Sequence, residues 1–269
     1  MKTIISVILL LFGVFAAGLV ALLWDYIYYP LIENKAEAQA VAYMKASFPE
    51  DVVIDDVKYS KPFGEDKGKY RITAHPKTKP GIKLSMYVAQ DLSVDTDRFK
   101  ESKWRYDTIL EYAPLINQIS PDFSSYAVNI NIPKELLHKY PVQTKYEDIR
   151  KLNENSAEEY LFIGVLVDPD FSDQRVLEYG YRIIEFMKKR SLKNAAIEIN
   201  FYPRSLIEGL GGKKLKFDVF DFRSEFFNKA LPYRFYFDTR KKSVTHIGFD
   251  EIQSPEDLKS FIVIDGPGR

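Results

Sequence analysis

The run Asp168-Pro169-Asp170-Phe171-Ser172-Asp173 places oxygen-bearing side chains at alternate positions, a spacing that could hold Ca²⁺. An EF-hand loop needs Gly at its sixth position and Glu at its twelfth. Those positions hold Asp173 and Tyr179. The same residues suit a strand-to-helix turn in which Ser172 or Asp173 caps the following helix, and capping alone explains them. Gly209-Leu210-Gly211-Gly212-Lys213-Lys214 has the composition of a phosphate-cradling loop. Such a loop needs a helix behind it, because helix N-terminal amides do the binding. A strand is expected there instead, so a hairpin connection fits better.

The remaining titratable groups are scattered. His75, His138 and His246 are the three histidines, and no two share a metal-ligand spacing. The acid pairs Asp55/Asp56, Asp218/Asp221 and Asp250/Glu251 could supply acid–base chemistry. In strands and turns such pairs are more often solvent-facing charges. No Gly-x-Ser-x-Gly elbow occurs, and the chain contains no Cys. Thiol catalysis, disulfides and Cys-bound zinc are thereby excluded. The sequence thus nominates no catalytic residue, no metal ligand and no cofactor.

Lys and Arg number 38, and so do Asp and Glu. That balance argues against nucleic acid as a partner, since phosphate binding needs a basic excess or a basic face. Lys213, Lys214 and Lys216 form the densest basic cluster and read as a solvated strand end. Tyr233, Phe235, Tyr236 and Phe237, with Phe226 and Phe227 nearby, could turn one face to a core and another to a protein or peptide partner, but a strand covered on both faces fits better, because central strands read as continuous apolar runs.

One segment dictates where the chain sits. Ile4 to Trp24 reads IISVILLLFGVFAAGLVALLW without a charge. At ~1.5 Å per residue this run spans about 32 Å, close to the thickness of a bilayer's hydrocarbon core. The expected anchor is carried by Ile4, Leu9, Phe12, Leu19, Leu23 and Trp24 among others, with Tyr26, Tyr28 and Tyr29 at the interface. A cleaved signal peptide is the rival, with small residues at Ala16, Ala17 and Ala21. Its apolar core would be shorter, about 7–15 residues, and would end in a polar stretch. Lys2 and the amino terminus are the only positive charges ahead of the run. The positive-inside rule therefore puts the body outside the cell membrane, single-pass, with lipid as the first partner.

Hydrophobic periodicity places the elements that follow. Glu33–Ser47 is expected as a helix ended by Pro49, and Asp97–Tyr112 as another, broken or kinked at Pro114. Asp173–Arg190 is the third, with Val176, Leu177, Gly180, Ile183, Ile184 and Met187 on its buried side. Strands are expected at Val52–Tyr59, Lys69–His75, Ile82–Ala89, Ser124–Ile132, Tyr160–Val167, Ala196–Tyr202, Leu215–Phe222, Tyr233–Phe237 and Val244–Phe249. Tyr160–Val167 is apolar on both faces and should be central. Ser254-Pro255-Glu256-Asp257 starts a short last helix. The order helix-strand-strand-strand occurs twice, so two similar units are one reading. The expected class is α+β: a transmembrane helix over residues 1–24, then antiparallel sheets each packed by a long helix, in units at 25–120 and 121–269.

The anchor, the helix after it, Val-Lys-Tyr at 57–59, Lys-Tyr-Arg-Ile-Thr-Ala-His-Pro-Lys at 69–77 and the alternating strand from Ile82 carry a resemblance. Residues 1–90 or so resemble small membrane-anchored proteins of Gram-positive bacteria with a cystatin-like domain of unknown function. The resemblance implies a helix wrapped by an antiparallel sheet and no catalytic residues. The function expected is that of a non-catalytic extracytoplasmic binding module; a membrane-tethered hydrolase using carboxylates is the alternative.

Overall fold

The computed structural model describes residues 2–61, 67–119, 125–205, 231–240 and 247–264. The side chains of 2–10, 21, 22, 24–27, 29–31 and 125 lie outside that description. The class is α+β, with two separate sheets and seven helices among the described residues. The chain forms two compact units, Met1–Phe99 and Lys100–Arg269. The division falls inside a helix, where the sequence reading put its boundary at 120.

The first unit opens on α1, one continuous helix from Lys2 to Ser47. Its carboxyl-terminal part buries Ala36, Ala40 and Met44 completely. The spacing i, i+4 and i+8 puts the three on one face, where the small Ala36 and Ala40 let the helix lie close against a sheet and Met44 fills the space beyond them. The sheet is the antiparallel meander β1 (Val52–Ser60), β2 (Lys69–Pro76), β3 (Leu84–Ala89) and β4 (Val94–Asp95). Tyr70, Ile72 and Ala74 of β2 alternate inward with Leu84, Met86 and Val88 of β3, as a half-buried sheet requires. Phe99 closes the unit with its ring 5.7 Å from Tyr43 and 6.4 Å from Phe48.

The amino-terminal part of α1 has a different character. Phe12 and Phe15 are each 69% exposed, and Leu11, Val14, Val20 and Leu23 are also exposed. Among the described residues no helix is long and apolar enough to cross a membrane. Of the expected anchor and interface residues, Ile4, Leu9, Trp24, Tyr26 and Tyr29 have side chains outside the described set. Phe12, Leu19, Leu23 and Tyr28 are exposed on the helix.

The second unit departs from expectation in topology. It holds α2 (Thr96–Ile119), which starts before the division, then β5 (Ser125–Asn131), α3 (Lys134–Lys139), α4 (Tyr146–Leu152) and β6 (Glu158–Val167). There follow α5 (Asp173–Lys189), β7 (Ala195–Pro203), β8 (Tyr233–Asp238), two 3-10 turns at Phe249–Glu251 and Pro255–Phe261, and β9 (Ile262–Val263). The sheet order is β5-β6-β7-β8-β9. β6 and β7 run parallel over nine pairs, from Glu159↔Ala195 to Val167↔Pro203, and the other neighbours are antiparallel. The expectation of purely antiparallel sheets is corrected here. A 17-residue helix stands between the two strands, long enough to carry the chain back so that it re-enters in the same direction. The reading of two similar units fails on the same point, since the first sheet has no parallel pair.

α5 buries the face anticipated for it: Val176, Leu177, Gly180, Ile183, Ile184 and Met187. At Gly180 a Cβ would stand 2.7 Å from Cζ of Phe235, so only glycine permits this approach of helix to sheet. Leu161, Ile163, Val165, Ile197, Ile199, Phe201, Phe235 and Phe237 meet α5 and the end of α2 in one core. α2 continues past Pro114 rather than ending there. Leu110, whose carbonyl lacks the usual donor four residues on, is on the helix's exposed side, where water can serve it. The expected strand Leu215–Phe222 and residues 244–246 of Val244–Phe249 lie outside the described residues; Phe249 begins a 3-10 turn.

Candidate functional site

The parallel β6–α5–β7 unit creates two ends of different chemistry. At its carboxyl end both strands stop side by side, because Val167 pairs with Pro203. The next residues, Asp168 and Arg204, therefore meet. Arg204 Nε donates to Asp168 Oδ1 at 2.9 Å, with the side chains 40% and 59% exposed respectively. They stand at a cleft of about 430 Å³ lined by Val167, Pro169, Phe171, Pro203, Pro232 and Tyr233 with Ser205. Two of the lining residues are rings, Phe171 and Tyr233, 6.0 Å apart, and Phe171 in turn packs 5.2 Å from the core residue Phe201. Ligands of open sheets with parallel strands bind beyond the carboxyl ends of those strands, because loops there converge while the strands stay rigid.

The calcium-like run of the sequence lies in this loop. Ser172 is the residue before α5, as a cap requires, but its side chain makes no capping hydrogen bond. Asp168 is committed to Arg204, and among the described residues no group of three His, Asp or Glu side chains could hold a metal ion. The turn reading accounts for the loop.

At the opposite end the charges are buried. Glu159 and Arg150 are 0% and 2% exposed, and Arg190 is nearly as buried. Arg190 Nη1 donates to Glu159 Oε2 at 2.9 Å and its Nη2 to Glu159 Oε1 at 3.3 Å. Nη2 also reaches Glu111 Oε2 at 2.5 Å. Arg150 Nη1 donates to Glu111 at 3.2 Å and to Glu159 at 3.4 Å. Tyr112 Oη donates to Glu159 Oε2 at 2.8 Å, and the Arg190 guanidinium stacks 4.5 Å from the Tyr112 ring centre. Burial pushes the Tyr112 and Tyr146 hydroxyls well above the ordinary phenol range. Burial opposes the charge on Arg190, yet Tyr112, Glu159 and Glu111 together hold its pKa above the usual value. Glu111 and Glu159 are thus two carboxylates that converge, but they converge on guanidinium groups. A carboxylate hydrolase needs two acids facing one water or substrate.

Sequence reasoning missed both ends. Glu159 shares the inward parity of Leu161, Ile163, Val165 and Val167, so a strand begun one residue earlier would have exposed an acid on a buried face. Asp168 and Arg204 are 36 residues apart and meet only because the strands are parallel.

Other nominated residues are dispersed. Asp55 and His75 come together on the first sheet, Oδ1 to Nδ1 2.6 Å, on a largely open face. Glu251 accepts the backbone amide of Gly248 at 2.8 Å, a turn-closing role, while Asp250 stays exposed. His138 lies exposed in the last turn of α3. Phe235 and Phe237 are core, whereas Tyr236 is 46% exposed and donates to Asp238 Oδ2 at 2.8 Å. His246, Asp218, Asp221, Phe226, Phe227, the 209–212 glycines and Lys213, Lys214 and Lys216 lie outside the described residues.

No protein-family model matches the chain, and none of the curated proteins matches it. Among solved structures it is similar to a DUF5037 family protein from Ruminococcus gnavus. That likeness has 14% sequence identity and a TM-score of 0.49, covering 77% of this chain and 92% of the other. It is too distant to carry an argument about family, anchor or activity, and it brings no activity with it.

Proposed function

We propose that the chain is a membrane-anchored, extracytoplasmic binding protein that holds its ligand without transforming it. The observation that carries the binding part is the cleft where β6 and β7 end together, walled by rings and prolines and carrying an exposed acid–base pair. The acids that converge elsewhere in the second unit are neutralised by Arg150 and Arg190, which weighs against the hydrolase alternative.

The anchor part rests on the uncharged run Ile4–Trp24 and on exposed Phe12, Val14, Phe15 and Val20 along a helix that continues into the first unit. Side chains of this kind side by side on a helix are costly in water and at home in lipid. The helix followed by an antiparallel meander also supports the cystatin-like reading of residues 1–90.

Alkaline extraction of membranes tests the anchor: the full chain should stay in the pellet and a chain lacking residues 1–24 should leave it. Release of the full chain would overturn the reading. Because the sequence has no Cys, Asn155→Cys gives one reporter thiol on an exposed turn. A membrane-impermeant maleimide should label it in intact cells; labelling only after lysis would place the body inside.

A further inference from the structure

We propose that a second, smaller cavity, on the outer side of the buried ion network, binds the carboxylate of a small apolar acid, with Lys189 and Arg150 as its donors. This site is separate from the cleft at the carboxyl ends of β6 and β7 and goes beyond the function proposed there.

Three features lead there. The first is charge. Four cations line the cavity, Arg150, Lys151, Lys189 and Arg190, against two carboxylates, Glu111 and Glu147. Each carboxylate is already committed. Glu111 is shared by the two guanidinium groups, and Glu147 holds Lys151 at 2.6 Å. Glu159, sealed behind the cavity, answers the remaining guanidinium charge. Those three acids offset three of the four cations. Lys189, exposed at the rim, has no partner among the described residues. The cavity is left with one positive charge, which a singly charged anion matches and a dianion overshoots.

The second feature is a spare donor on a fixed side chain. Arg150 lines the cavity although its side chain is only 2% exposed. Its Nη1 is taken by Glu111 and Glu159, and its Nε is sealed in the interior. Nη2 is bonded to none of the described residues and is not sealed, so it is the donor this side chain has left for the cavity. The ion network already holds the guanidinium in place, so binding orders nothing there, and its hydrogen bond to a carboxylate is charge-assisted. The third feature is wall and size. Phe186 is half-buried in the lining, its ring 5.4 Å from that of Tyr112, and offers apolar contact beside the donors. A volume of about 290 Å³ is at the lower bound for ligand pockets, so only a small acid fits. The last turn of α5 favours cations, which opposes an anion there and keeps the affinity modest.

Isothermal titration calorimetry on the full chain in detergent micelles, at constant ionic strength, tests this with benzoate, benzyl alcohol, benzylamine and inorganic phosphate. Benzoate should bind saturably, and each of the other probes about fivefold or more weakly. Lys189→Gln should weaken benzoate about fivefold, the upper end for an exposed ion pair, and Lys189→Glu should remove its binding. Lys134→Gln removes a positive charge outside the cavity and should change nothing. Lys189 is exposed, so thermal melts of its variants should match the unmodified chain, and the probe series on the unmodified chain stands without them. Benzyl alcohol or benzylamine binding as tightly as benzoate would overturn the carboxylate assignment. Phosphate binding more tightly than benzoate would overturn it too, since the charge count would then be wrong. Benzoate binding that ignores Lys189 would move the ligand elsewhere and overturn the site. No saturable heat from any probe would overturn this cavity while leaving the cleft at the strand ends untouched.

Discussion

The two ends of the β6–α5–β7 unit use the same pairing, carboxylate with guanidinium, to opposite effect. At the amino end of the strands Glu159 is fully buried and shared between Arg150 and Arg190. At the carboxyl end Asp168 and Arg204 meet in half-open solvent. Buried, the charges have given up water and depend on one another, so the network fixes where α2, α4, α5 and β6 sit. Exposed, the pair is screened by water and contributes little to folding. Burial, rather than residue type, separates a structural joint from a candidate binding site.

The largest expected effect breaks the buried end. Glu159→Ala takes from both guanidinium groups the more buried of the two carboxylates they share, leaving Glu111, and strips Tyr112 of its acceptor, so it should cost about 3–5 kcal/mol in urea unfolding. Asp168→Asn should change the same measurement by less than about 1 kcal/mol. Equal losses at the two positions would erase the distinction. Replacing Glu159 and Arg190 together with Leu and Met should recover much of the loss, since an apolar pair strands no charge there.

A smaller effect is expected between the ends. Gly180→Val would drive a side chain into the Phe235 ring and should destabilise by about 1–3 kcal/mol. A cost near zero would mean that α5 lies less tightly on the sheet than the geometry requires.

The smallest concerns pH. Asp107 lies near the buried end, with Lys103 Nζ at 2.7 Å. Burial raises its pKa above the ordinary carboxylate value, against the pull of Lys103. Folding thus favours its protonated form. That contribution is fully present below the unfolded carboxylate pKa, about 3.9, and is lost as pH rises through the raised value. The stability of Asp107→Asn relative to the unmodified chain should therefore climb across that window. A fall over the same window would reverse the assigned sign.

Much of the architecture was legible along the chain. Helical spacing marked the buried stripe of α5, and alternation marked β5, while which of Tyr233–Phe237 face inward was not assigned. These follow from local periodicity, since a side chain's face depends only on its own position in a helix or strand. The uncharged run at 4–24 is likewise a property of the sequence, and its length states its own expectation about a bilayer. Strand direction is not local. Nothing in Tyr160–Val167 or Ala196–Tyr202 says whether they run together or opposed, and the choice rests on how α5 returns the chain over the core. That one choice brought Asp168 to Arg204. The tertiary packing of α2 and α4 against the start of β6 brought Glu111, Arg150 and Arg190 to Glu159. The sequence by itself determined which faces are apolar. Only the tertiary structure decided which charges are neighbours, because charge pairs form between elements that no local pattern relates.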